Sequence, residues 1–165
     1  MDKISWKNVT KKHPNGVCEA ATSIWLQTIS NFGITKANAI TSQECDNLQE
    51  KIEAGTYTWA TDLPPLLKSG TDFDAFEGPN ITDKNDVNKI LKGLKANQFV
   101  YISASNPHGN GHALALFYDG TDYYFFDPNH AIYKASAKEI GALAQQVIDN
   151  VKAWSEIAAR IGAFH

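Results

Sequence analysis

Cysteine is scarce in this chain: two in 165 residues, Cys18 and Cys45. That excludes the disulfide-dense scaffolds of small secreted domains, although a single Cys18–Cys45 bridge stays open. Neither cysteine sits in a CxxC pair, so a four-ligand zinc site has no basis. No apolar run reaches the ~18 residues that a membrane-spanning helix needs. The opening stretch MDKISWKNVTKK has no apolar core of the kind a Sec signal peptide carries. Positive charge is not in excess: 15 Lys and Arg stand against 18 Asp and Glu, a net charge of −3. A nucleic-acid or anionic-membrane surface therefore has no support. Repeats, low-complexity tracts and linkers are also missing, which predicts one domain over residues 1–165. What is present is an apolar fraction of 43%, enough for a folded core and too high for a disordered chain. A chain of this length buries roughly 70% of its unfolded surface and needs no covalent staple.

The pattern from Gly16 is helical, with Val17, Ala20, Ala21, Ile24, Trp25 and Ile29 at three- and four-residue steps and Asn31 and Gly33 closing it. Thr41-x-x-Glu44 is a capping box for a second helix that Gly55 ends. Asp62 to Gly70 reads as a short helix with Pro64 and Pro65 in its first turn. Thr82 or Asp83 caps a helix predicted to run to about Ala96. Three strand-like runs follow, Phe99 to Ala104, His112 to Tyr118 and Tyr123 to Phe126, with Ala131 to Lys134 as a short fourth. Asp119-Gly120 joins the second and third as a hairpin. Ser136-x-x-Glu139 starts a last helix that buries Ile140, Leu143, Ala144, Val147, Ile148 and Val151. Helices first, an antiparallel meander later and a closing helix predict an α+β fold.

Three residues in this frame can carry chemistry. Cys18 follows Gly16 at the start of a helix, where the positive end of the dipole and unpaired N–H groups favour thiolate. Glu19 beside it works against thiolate unless it faces solvent. A lone cysteine is more often a small core residue, and Cys18 alone decides nothing. His112 adds weight. It stands where the Asn106-Pro107-His108-Gly109-Asn110-Gly111 loop meets the apolar run Ala113 to Phe117, held by the core yet reachable from outside. Asp127 lies seven residues after Gly120, and His112 seven before Asp119, so both are expected near one open end of the hairpin, with Asp127 partly solvated. There an aspartate can hold an imidazole in one tautomer, as in a nucleophile–base–acid triad. Asp127-Pro128-Asn129 is also good turn chemistry, and the two roles are compatible.

Gly16-Val17-Cys18 with Ile24-Trp25-Leu26, then Gly111-His112-Ala113-Leu114-Ala115, then Tyr124-Phe125-Phe126-Asp127-Pro128-Asn129 resemble the YopT/AvrPphB group of bacterial effector cysteine proteases. The resemblance runs in order from Gly16 to about Tyr133, and the Phe-Phe-Asp-Pro-Asn block is its most specific part. It implies a papain-like α+β fold, with N-terminal helices packed on an antiparallel sheet and the nucleophile at a helix N-terminus. It also implies a triad of Cys18 as nucleophile, His112 as base and Asp127 as orienting acid. Papain-like enzymes place a Gln or Asn a few residues before the nucleophile to bind the oxyanion. Here the candidates are Asn15, closer than the pattern suggests, and His13 at the position where the amide is expected. The chain is short for the group, which implies trimmed substrate-binding elaborations. The resemblance further implies a protein substrate from a host cell, no cofactor, a monomer, and synthesis in a bacterial cytoplasm followed by secretion or translocation without a Sec signal.

The same fold and triad serve glutamine deamidases similar to OspI, and both chemistries begin with thiolate attack on an amide carbonyl. A transferase using another acceptor than water shares every residue named. A non-catalytic binding module is the alternative of a different class, opposed by three triad residues in order. His108 and His112 are four apart, but loop and strand give that spacing no meaning for a metal. Cys45 falls inside a polar helix and reads as incidental, while Trp25, Trp59 and Trp154 read as core, with the lining of a groove as the alternative for Trp59 between Tyr57 and Pro64.

Overall fold

The computed structural model describes residues 1–6, 18–57, 72–73, 80–108 and 111–164. In chain order these form β1 (Asp2–Ser5), α1 (Cys18–Phe32), α2 (Ile34–Ala37), α3 (Ser42–Glu53), β2 (Asp72–Phe73), α4 (Lys84–Gly93), β3 (Gln98–Ser105), β4 (Gly111–Tyr118), β5 (Asp122–Asp127), β6 (Ala131–Ser136), a 3₁₀ turn (Ala137–Glu139), α5 (Ile140–Val151) and β7 (Glu156–Ala163). The helix expected over 62–70 lies outside the described residues. The strands make one antiparallel sheet in the order β1-β6-β5-β4-β3-β7-β2.

The local signals act as their chemistry requires. Gly33, at φ 93°, ends α1 in a conformation that disfavours any side chain. The Glu44 carboxylate accepts the Thr41 backbone N–H at 2.6 Å to start α3, and the Asp83 carboxylate accepts the Asp86 N–H at 3.1 Å to start α4. The helix expected to reach Ala96 stops at Gly93, because Leu94 is already extended and Asn97 turns to φ 66°. Gly120, at φ 99°, is required twice over: a Cβ there would also meet the Ala96 Cβ at 3.1 Å.

The middles of the central strands are largely apolar because the sheet is covered on both faces. Phe99 and Tyr101 of β3, Ala115 and Phe117 of β4 and Phe126 of β5 pack with Trp25, Leu26 and Ile29 of α1. The alternate residues, Val100, Ile102, Leu114, Leu116 and Phe125, pack with Leu91 of α4 and Leu143 and Val147 of α5. Full burial of such a side chain stabilises the fold by about 1.5–3 kcal/mol. Trp25 is fully buried against Phe126, its indole N–H donating to Asn38 Oδ1 at 3.0 Å. The N-terminal stretch, read as extended, pairs along β6 as β1, whereas β7 escaped the sequence pattern: it runs back between β3 and β2, so α5 is not the last element.

Candidate active site

Cys18 is the first residue of α1, so its N–H has no partner within the helix. One turn on, Thr22 is buried, and its hydroxyl donates to the Ala113 carbonyl at 3.0 Å. Residues four apart share a helix face. The bond that pins α1 to β4 therefore brings Cys18 to the strand position next to Ala113, which is His112. The half-buried Cys18 thiol is near enough to the His112 ring to help raise its pKa through hydrogen bonding and charge. Both line a cavity of about 380 Å³ with Glu19, Gln49, Tyr101 and Ser103.

His112 is held from the other side. Its Nε2–H donates to Asp127 Oδ1 at 2.7 Å, which leaves Nδ1 as the free ring nitrogen, 3.4 Å from Asn129 Nδ2. Trp154 lies nearly parallel to the imidazole, centroids 5.8 Å apart and planes 14° off. Asp127 is 0% exposed, not partly solvated as its place in the hairpin suggested. Its Oδ1 also accepts the Asn129 N–H at 2.9 Å, and its Oδ2 accepts from Asn150 Nδ2 at 2.9 Å. The turn reading of Asp127-Pro128-Asn129 holds: the indole N–H of Trp6, just after β1, donates to the Pro128 carbonyl at 2.9 Å and supports it.

The register explains the pairing. The connection spans Asp119 to Asp122, so Tyr118 opposes Tyr123 and Ala115 opposes Phe126. One step further Asp127 falls opposite Leu114, not His112. His112 and Asp127 are a diagonal pair on one sheet face, within reach of each other. Asn15 and His13 lie outside the described residues, as does Trp59. Cys18 and Cys45 are both free thiols. Cys45 is buried in α3, where burial, with Glu44 and Asp46 adding to it, pushes its thiol up to about 12. Trp154 is not simply core, since it packs on the imidazole. Neither it nor Asn150 carries a local signal, because each reaches the site through a long-range contact.

The electrostatics favour a charged imidazole. Burial alone pushes the His112 pKa down, but hydrogen bonds and charges at Asp127 and Cys18 outweigh it and lift it from 6.5 to about 9. Burial raises the Glu19 carboxyl, which favours its neutral form and softens its opposition to a thiolate next door. A histidine raised on folding adds stability that is complete below its unfolded value and lost as pH climbs through the folded one. The melting temperature of the wild type should therefore fall towards that of His112→Gln between pH 6.5 and about 9. The difference amounts to about 3 kcal/mol at most. Parallel melts across that window check it, and a constant gap between the two proteins contradicts it.

An α+β fold with a cysteine at a helix N-terminus and a histidine–aspartate pair on neighbouring strands defines a papain-like architecture. In keeping with that, the chain is similar to the crystal structure of the Pseudomonas avirulence protein AvrPphB, with a TM-score of 0.61 and 13% sequence identity over 96% of this chain and 97% of that one. At that identity the likeness establishes the fold. The two chains also match over nearly their full lengths, so the trimming expected from the short sequence is not seen against this neighbour. No protein-family model matches the chain, and no curated protein matches it. Among the described residues no helix is long and apolar enough to cross a membrane.

Proposed function

We propose that the chain is a cysteine-nucleophile amide hydrolase, a bacterial effector protease that is translocated and acts as a monomer on a host protein. The observation that carries this reading is the approach of the Cys18 thiol to an imidazole already anchored on a buried carboxylate. The AvrPphB-like fold and the sequence blocks around Cys18, His112 and Asp127 support it. With His112 protonated, Cys18 is the attacking thiolate and the imidazolium is the acid for the leaving amine. The sulfur adds to the amide carbon, and the negative oxygen that forms lies near the unpaired Cys18 N–H. Collapse to a thioester expels the amine, which takes the His112 proton. The neutral imidazole then deprotonates a water that attacks the thioester, freeing the acid and restoring the thiolate–imidazolium pair. Asp127 keeps the ring turned so that Nδ1 serves each transfer.

Intact-mass measurement of candidate host proteins, incubated with the wild type or Cys18→Ala, tests the proposal. Fragments that appear only with the wild type are expected. A small mass gain without cleavage assigns the same site to glutamine deamidation, and identical spectra for both proteins favour a binding module.

A further inference from the structure

Asp127 has two oxygens, and they are treated differently. Oδ1 takes the His112 ring and the Asn129 backbone N–H, so it is occupied by the machinery and by the turn. Oδ2 points across the sheet face to α5, where Asn150 Nδ2 donates to it at 2.9 Å; His130 Nε2 lies farther off, at 3.8 Å. The Asn150 amide is itself oriented. Gln146, one turn earlier on the same helix, donates Nε2–H to Asn150 Oδ1 at 2.7 Å. Turning the amide over would set donor against donor at Gln146 and acceptor against acceptor at Asp127. A buried carboxylate whose second oxygen lacks a partner can rotate about its Cβ–Cγ bond and spoil the bond made by the first.

Building on the cysteine-hydrolase reading, we propose that Asn150 is a positioning residue. It clamps Oδ2 of Asp127 so that Oδ1 stays on His112, and Gln146 fixes the clamp. The chain Gln146–Asn150–Asp127–His112–Cys18 then runs from the surface of α5 to the nucleophile. No local pattern marks Asn150. It lies beside Val151 and Val147 on a helix whose evident task is to cover the sheet.

The test uses the full chain and needs no substrate: the rate at which iodoacetamide alkylates Cys18, read by peptide mass beside a thermal melt. Asn150→Leu is expected to fold and to label Cys18 about tenfold more slowly than the wild type, the usual cost of a lost bond to a charged group. Asn150→Asp gives a readout that a packing role does not. At about pH 8 its carboxylate repels Asp127 and labelling falls about tenfold or more; at about pH 5 its acid form donates O–H to Oδ2 and the rate returns to within about threefold. The other titratable groups around Asp127 are His112 on β4, His130 on the turn and Tyr133 on β6, with Asp149 next to Asn150 on α5 itself. All of them are unchanged in the variant, so a pH response absent from the wild type belongs to the new carboxyl. Gln146→Leu, which leaves Asn150 in place, is expected to lose about threefold and decides the matter if the Asn150 variants do not fold. Wild-type rates at both pH values in the folded variants overturn the proposal. A wild type that labels no faster than His112→Ala overturns the hydrolase reading instead, so the two failures are distinguishable.

Discussion

His112→Ala is expected to abolish turnover and to slow alkylation of Cys18 at mildly acidic pH by at least about a hundredfold, while the protein stays folded. The imidazole and the thiol line one cavity and interact strongly enough for Cys18 to help raise the His112 pKa, and Asp127 helps keep the ring charged. Without it no cation faces the sulfur from β4 and no acid stands ready for a leaving amine. In enzymes built on such a constellation, removing the base alone costs on the order of 10⁶ in turnover. The comparison must be Cys18 in the wild type against Cys18 in the variant. Cys45 is a poor reference, since burial and a thiol pushed up to about 12 keep it silent whatever happens at the site. Raising the pH should let the variant catch up. A variant that labels like the wild type at mildly acidic pH removes His112 from the machinery.

Asp127→Asn is expected to lose at least ~100-fold in turnover, and to lose stability as well. Three N–H groups point at the carboxylate, from His112, Asn129 and Asn150, and an amide can accept with only one end. Either its NH₂ faces Asn150, donor against donor, or it faces His112 and imposes the wrong tautomer. A buried polar clash of this kind costs about 1–3 kcal/mol, so the melt should drop by several degrees without collapsing. Turnover on the substrate found by mass screening and a melt on the same sample check both halves. Full activity in a folded Asp127→Asn protein excludes the residue from the triad, and loss of the fold makes it structural.

Cys18, His112 and Asp127 stand out as candidates because each sits at a change of local pattern. Cys18 opens a helix, His112 ends a glycine-rich loop, and Asp127 precedes a proline turn. Their exact pairing could not be read. Counting seven residues to either side of Asp119-Gly120 assumes a two-residue turn, whereas the connection takes in Asp119 to Asp122 and shifts the register. Nor could Glu156–Ala163 be read as a strand: Ile157 and Ile161, four apart among alanines and an arginine, have helical spacing. The exposed edge of β3 decides otherwise, since pairing along Gln98–Ser105 satisfies the backbone that a helix would have satisfied internally. Asn150 and Trp154 show the same limit, because distant contacts leave no mark on their neighbours.

That late strand has a kinetic consequence. β3 pairs with β4 just ahead of it, but its other edge waits for β7, whose residues from Glu156 to Ala163 match it from Ser105 back to Gln98. Such non-local closure is entropically slow, and folding rates fall as sequence separation grows. During synthesis the strand that carries His112 can form its meander with β3, β5 and β6 while the sheet beyond β3 is still open. The site therefore assembles on an unfinished scaffold, and a chain held back before Glu156 emerges keeps a bare strand edge that any extended segment could pair with.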